Sequence, residues 1–201
     1  MKPKLMLATN NLGKIAEMKA LLNGLNIELI TPTLLHVDLE VPEDGQTYAE
    51  NAVRKAEAFA KTSGLPSLAD DSGLEVDVLN GCPGPLSHRF APQVNATDAD
   101  RRSFLLNKLQ GKPRPWTARF RATVAIALLE KGTRIASGTC EGEITPEERG
   151  TNGFGYDPLF LIPEYGRTMA ELTMDEKNRL SHRARAVMNI LPILKEILGI
   201  E

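Results

Sequence analysis

Two adjacent aspartates, Asp70 and Asp71, follow an apolar run and precede a Ser-Gly pair in the segment SLADDSGLEV. Asp is a poor strand residue, and two like charges side by side repel, more so once water is removed. The pair is therefore either a solvated turn or a site that holds a cation. Neighbouring side chains on a strand face opposite ways. Both carboxylates reach one site only where the strand ends, and Ser72-Gly73 is the expected turn that ends it. Hard cations such as Mg2+ take few carboxylates and keep waters for substrate phosphates. Glu43 lies in the acidic, turn-rich stretch LHVDLEVPEDGQ (35–46), which reads as an exposed loop and offers a further oxygen from a distant part of the chain.

Three other stretches carry chemistry-bearing residues. In ATNNLGK a strand ends, a polar turn follows and a helix starts with Lys14 in its first turn. Free N–H groups at a helix start attract anions, and a lysine adds a point charge; the plainer alternative is an ordinary N-cap by Asn10 or Asn11. In GTNGFGYDP (150–158) three glycines bracket Phe154 and Tyr156. Glycines let backbone approach a ligand, and aromatics there suit stacking on a planar base; the alternative places Phe154 in the core. TMDEKNRLSHRARAV (173–187) carries Lys177, Ser181, His182 and Arg183. On one continuous helix His182 points away from Lys177 and Arg183, so their convergence requires a break, with Ser181 as a new N-cap. The alternative is a surface helix with solvated charges.

The elements that must position these residues alternate irregularly. KLMLATN and IELITP read as short strands around a helix, LGKIAEMKALLNGL. Thr47 and Glu50 form a capping-box pattern ahead of a helix that closes at Gly64. PSLADD and LEVDVL are expected strands on either side of the Ser-Gly turn. A helix runs from Thr97 to Gly111. TARFRATVAIALLEKG and RIASGTCEGEI form a hairpin around Gly132. LFLIP is a short strand, and the chain is helical from Thr173, with Pro192 starting a new turn or a kink. Such mixing predicts an α/β fold with a mixed, partly antiparallel sheet.

Composition excludes several classes. The 201-residue length fits one domain over 1–201, or one domain with two lobes. A formal net charge of -2 argues against a broadly basic nucleic-acid binder. Cys82 and Cys140 form no CxxC or metal-type spacing, which suits free thiols in a reducing compartment. The N-terminus lacks the apolar core of a signal peptide, and no apolar run approaches the roughly 20 residues of a membrane span. A soluble, cytoplasmic protein with no membrane partner is expected.

Together these are the parts needed to hold a Mg-nucleoside triphosphate. Through LATNNLGK, EDGQTYAENAVRKA, ADDSGLEVDVL, GCPG, FGYDPLF and AELTMDEKNRLSHR, in that order, the chain resembles the Ham1-like inosine triphosphatase family over nearly its whole length. The resemblance implies Mg2+-dependent cleavage of non-standard purine triphosphates (ITP, dITP, XTP) to monophosphate and pyrophosphate. It also implies an elongated mixed sheet flanked by helices, two lobes with a central cleft, and a homodimer.

By the same resemblance, Thr9, Asn10, Asn11, Leu12, Gly13 and Lys14 contact the triphosphate, which Lys14 and Lys55 neutralise. Glu43, Asp70 and Asp71 form the metal site, with Asp71 as proton acceptor for the attacking water. Ser72 touches substrate. Phe154, Gly155, Tyr156 and Asp157 hold the base, with Phe154 stacking, and Lys177, His182 and Arg183 read its 6-oxo edge. The chain departs from the family's usual GTGGFGYD and SAR at Asn152 and His88, which bears on base preference. A catalytically silent nucleotide-binding module on the same scaffold is the competing reading, and the intact acidic set argues against it. A related enzyme acting on pyrimidine or methylated nucleotides is a third, against which the FGYD and SHR elements stand.

Overall fold

The computed structural model describes residues 1–200. β1 (Lys4–Leu7) is the run KLML, with its last three side chains buried. α1 (Leu12–Leu21) starts behind Asn11, whose side-chain oxygen accepts the Lys14 N–H. β2 (Glu28–Ile30) returns parallel to β1. α2 (Tyr48–Ser63) is capped by the Thr47 hydroxyl, which accepts the Glu50 N–H, and it ends at Gly64 with φ 70°. The Glu50 carboxylate takes the N–H of Gln46 rather than that of Thr47, so the expected capping box is displaced by one residue.

β3 (Ser67–Val76) is one continuous strand of 10 residues, which corrects the expected turn at Ser72-Gly73. The two aspartates do not need a solvated turn, because buried cations and an amide receive them within the strand. α3 (Asp98–Leu109) follows, with a reciprocal capping box between Thr97 and Asp100. β4 (Thr117–Leu128) and β5 (Gly132–Ile144) follow, with Gly132 at φ 75° opening β5. β6 (Phe160–Ile162) pairs antiparallel with β5, and β7 (Arg167–Thr168) antiparallel with β6.

α4 (Met174–Leu180) stops at Ser181, whose ψ of 155° is extended, and α5 (His182–Leu198) begins at once. The predicted helix break is therefore present. Pro192, expected to kink or restart the helix, lies inside α5. A proline in a helix interior costs about 3 kcal/mol. Ile190 and Leu194, both at 0% exposure, offset it by about 1.5–3 kcal/mol each.

The strand order is β2-β1-β3-β4-β5-β6-β7 in a seven-stranded mixed sheet. The chain divides into two compact units, one of residues 1–71, 122–138 and 183–201, the other of 72–121 and 139–182. The first unit shows strand alternation directly. Leu5, Leu7, Leu68, Val124 and Ile126 face α1 and α5 in one apolar cluster. Met6, Ala8, Ala69, Ala125 and Ala127 face α2 in another. The second unit has its own cluster, in which Leu105 and Leu109 of α3 pack with Phe120, Ile144, Tyr156 and Phe160. No helix among the described residues is long and apolar enough to cross a membrane.

Candidate active site

The alternation that sorts the first unit's core also separates its two aspartates. Asp70 continues the Leu68 side of β3, and Asp71 continues the Ala69 side. On the first side Asp70 is 1% exposed, and its Oδ2 receives Arg183 through Nε at 3.0 Å and Nη2 at 2.9 Å. Lys14 Nζ stands 3.4 Å from the same oxygen, and Arg183 Nη1 donates to Glu17. Burial alone would raise the Asp70 pKa, but Arg183, then Lys14 and Lys55, outweigh it and hold the carboxyl well below the usual range.

Asp71, at 4% exposure, faces α2. Its Oδ2 accepts the Asn51 amide at 2.9 Å, and its Oδ1 lies 3.7 Å from Lys55 Nζ. Here burial is the largest influence and pushes the carboxyl up, against Lys55, Lys14 and the Asn51 hydrogen bond. The two neighbouring carboxyls are thus pushed in opposite directions by their surroundings, Asp70 down by its cations and Asp71 up by burial.

Lys55 sits at the centre of this acidic set. Its Nζ donates to Glu43 Oε1 at 2.7 Å and to the Asp70 carbonyl at 2.7 Å. Burial lowers its pKa less than Asp71 and Glu43 raise it, so it is held above its ordinary value. The carbonyl is available because β1 has ended. Pro66 and Leu68 carbonyls accept the Met6 and Ala8 N–H groups, and Asp70 presents the next carbonyl of that row. Lys14 Nζ shares it at 3.3 Å; burial lowers the Lys14 pKa, and the attraction of Asp70 only partly restores it.

Glu43 reaches Lys55 because the 35–46 stretch is not a freely exposed loop. Residues 37, 39, 41, 43 and 45 are half-buried, and 38, 40, 42 and 44 are exposed. Val37, Leu39 and Val41 pack on the α2-side core, which corrects the expectation of an exposed loop. The same period of two turns Glu43 inward.

At the start of α1, Thr9 Oγ1 accepts the Asn11 N–H at 3.2 Å, Asn10 to Leu12 are exposed and Gly13 is half-buried. That leaves the first turn of a helix open to solvent beside Lys14, an arrangement that favours anions.

The second unit holds the Gly-rich loop. The Phe154 N–H donates to Asp157 Oδ2 at 2.9 Å, and Lys177 Nζ donates to the same oxygen. Lys177 Nζ also lies 5.2 Å from the centre of the half-buried Phe154 ring. Gly153, at φ 74°, permits this turn; a Cβ there would meet Asp157 Oδ2 at 2.0 Å. α3 holds both backbone groups of Gly155. Asp98 Oδ2 accepts the Gly155 N–H at 2.7 Å, and Arg102 Nη1 donates to the Gly155 carbonyl at 2.9 Å.

Tyr156, expected at the base, is instead a core residue at 4% exposure whose hydroxyl donates to the Ser87 carbonyl. His182 is buried and stacks on Phe120, centroids 4.7 Å apart. Ser72 is half-buried and His88 exposed. Asn152 donates through Nδ2 to the Leu172 carbonyl at 3.0 Å.

The resemblance grouped Arg183 with Lys177 and His182 as readers of the base edge. The unit boundary falls between His182 and Arg183 at the start of α5, and the Arg183 guanidinium is taken up by Glu17 and Asp70, at 1% exposure. Sequence reasoning missed Asn51, Glu17, Asp98 and Arg102. Asn51 had a signal: it falls on the buried face of α2 with Tyr48, Ala52, Lys55, Ala56 and Phe59, a polar residue at helical spacing on an apolar stripe.

The donor chemistry suits Mg2+. Glu43, Asp70 and Asp71 supply oxygen only, as a hard cation prefers. Asp70 Oδ1 is a buried oxygen with no hydrogen-bond donor among the described residues. No three acidic, His or Cys side chains among those residues converge as a ready-made metal cage, so the fit is to one or two carboxylates completed by water and phosphate oxygens.

The sequence profile of the Ham1 family matches residues 5–193. A dITP/XTP pyrophosphatase of Desulforamulus reducens is 46% identical, with 96% of each chain covered. One from Geobacter sulfurreducens is 45% identical over 98% of this chain and 96% of its own. The structure of a HAM1 protein from Coxiella burnetii superposes with a TM-score of 0.86 at 43% identity, covering 96% of this chain and 99% of that one. The Staphylococcus aureus Ham1 protein gives 0.84 at 38% identity, covering 96% and 98%. The chain belongs to the Ham1 family.

Proposed function

We propose that this protein hydrolyses non-standard purine nucleoside triphosphates (ITP, dITP and XTP) to the nucleoside monophosphate and pyrophosphate. The observation that carries the reading is the buried aspartate pair on β3, Asp70 held by Arg183 and Lys14 and Asp71 held by the Asn51 amide near Lys55. Relatives named dITP/XTP pyrophosphatase at 45–46% identity support the substrate class.

The chemistry follows from those groups. Asp71 accepts a proton from a water that attacks the α-phosphorus, and pyrophosphate leaves with the electrons of the α–β bridging bond. Lys14 and the open first turn of α1 receive the phosphates, since phosphoryl-type transfer is mostly positioning and charge neutralisation. Lys55 balances Glu43 and Asp71. One or two of Glu43, Asp70 and Asp71 would hold Mg2+, which when bound supplies charge neutralisation and a more acidic water. Phe154 stacks on the base, and the Lys177 ammonium donates toward a 6-oxo group. Adenine presents a 6-amino donor to that donor, a mismatch of the kind that rejects an analogue strongly. The proposal includes a cytosolic homodimer.

Product analysis tests it. With Mg2+, ITP and XTP are expected to yield pyrophosphate and monophosphate and ATP little of either, while GTP, which shares the 6-oxo group, tests the 2-position. Release of orthophosphate, or no product from any of the four, would contradict the reading; the latter would leave a nucleotide-binding module.

A further inference from the structure

Asn51 has 0% exposure and lies one helical turn before Lys55 on α2. Its amide is used at both ends. Nδ2 donates to Asp71 Oδ2 at 2.9 Å, and Oδ1 accepts the Gly45 backbone N–H at 2.8 Å. A carboxylate at one end and an N–H at the other fix the orientation of the amide. Gly45 follows Glu43 by two residues on the same inward face. A Cβ on Gly45 would stand 2.6 Å from Asn51 Oδ1 and 2.9 Å from Glu50 Cβ, so this backbone packs directly against the amide.

We propose that Asn51 is a positioning residue for the hydrolytic reaction, its single amide tying the backbone of the Glu43 segment to the Asp71 carboxylate. The inference rests on the pyrophosphatase reading. With Oδ2 held by Asn51, Asp71 turns Oδ1 toward Lys55, and Lys55 in turn holds Glu43. The acidic segment and β3 are far apart in sequence, and no strand pairing joins residues 43–45 to Asp71. The Asn51 amide is the neutral link that sets their separation before substrate arrives. A buried, doubly bonded side chain suits that task, because a misplacement of about 1 Å at reacting groups costs on the order of 100-fold in rate.

The test uses the full chain and two variants that disturb opposite ends of the tie. Asn51→Asp keeps the volume and the acceptor for Gly45 but removes the donor to Asp71. Gly45→Ala keeps that donor and pushes the segment off the amide. Each is expected to lower kcat for ITP by on the order of 100-fold, with KM within about threefold of the parent, as for a group whose worth appears in the transition state. In metal-free, substrate-free protein, nitrogen-15 NMR of Asp71→Ala should move the Gly45 backbone amide signal together with the Asn51 side-chain pair.

A Gly45 signal that stays in place overturns the proposal. So does an unchanged kcat per folded molecule in both variants, even with a lowered melting temperature, which is what a purely structural role gives. A parent chain that releases no pyrophosphate from ITP or XTP overturns the functional reading, and with it the catalytic meaning of the tie, whatever the NMR shows.

Discussion

Around Asp70 and Asp71, Arg183, Lys14, Lys55 and Asn51 converge on two carboxylates with almost no exposure. Around Phe154, one lysine and one carboxylate brace a ring that remains half-buried. The first region is built on β3 and the helices that cover it. The second is a glycine loop in which Asp98 and Arg102 hold the N–H and the carbonyl of Gly155. Hydrolysis needs charges fixed before the reaction, because preorganised charge need not reorganise in the transition state. Stacking on a planar base needs a ring held in place with a face for the ligand. The contrast is thus between charges that the fold encloses and a ring that the fold props.

Substitutions that break one region should leave the other's signature intact. The largest effect is expected from Asp71→Asn. Loss of a general base costs about 10²–10⁴-fold, so single-turnover rates should collapse while the melting curve and nucleotide affinity stay close to the parent. Arg183→Ala comes next. It leaves Asp70 and Glu17 as buried carboxylates without their guanidinium, and breaking such a pair costs about 3–5 kcal/mol, readable in urea melts. A smaller loss of stability would mean that Lys14, 3.4 Å from the same Asp70 oxygen, compensates for the missing guanidinium. Phe154→Ala should raise KM for ITP about tenfold, within the roughly 1–3 kcal/mol of a base stack, and leave kcat nearly unchanged; a loss confined to stability would assign the ring to the core. Tyr156→Phe is the smallest. It removes one hydrogen bond to the Ser87 carbonyl, worth about 1 kcal/mol, with kinetics unaltered.

Much of this was legible in the sequence because the signals were local. The helices expected from Thr97 and Thr173 form, each behind a capping box, whereas the Thr47–Glu50 box is displaced by one residue. The break at Ser181 followed from requiring Lys177, His182 and Arg183 to converge, although Arg183 then pairs with Asp70 and Glu17. What failed was long-range. The DDSG segment looked like a turn because two bare aspartates are poor in a strand; the cations that make the strand tolerable come from positions 14, 55 and 183. Arg183 looked like a ligand-facing charge because nothing near it in sequence predicts Glu17 as a partner. The inward course of Glu43 was written in the alternation of Val37, Leu39 and Val41, but the acidic residues between them suggested a loop. Tyr156 and Phe154 differ by two positions in a glycine loop, where no period tells a core ring from an exposed one.

The most direct measurement of the central claim is hydrolysis of ITP in water enriched in oxygen-18. Attack on the α-phosphorus by water activated at Asp71 places the label in the monophosphate and none in pyrophosphate. Label in the pyrophosphate would put the attack on the β-phosphorus and contradict the role assigned to the buried aspartate pair.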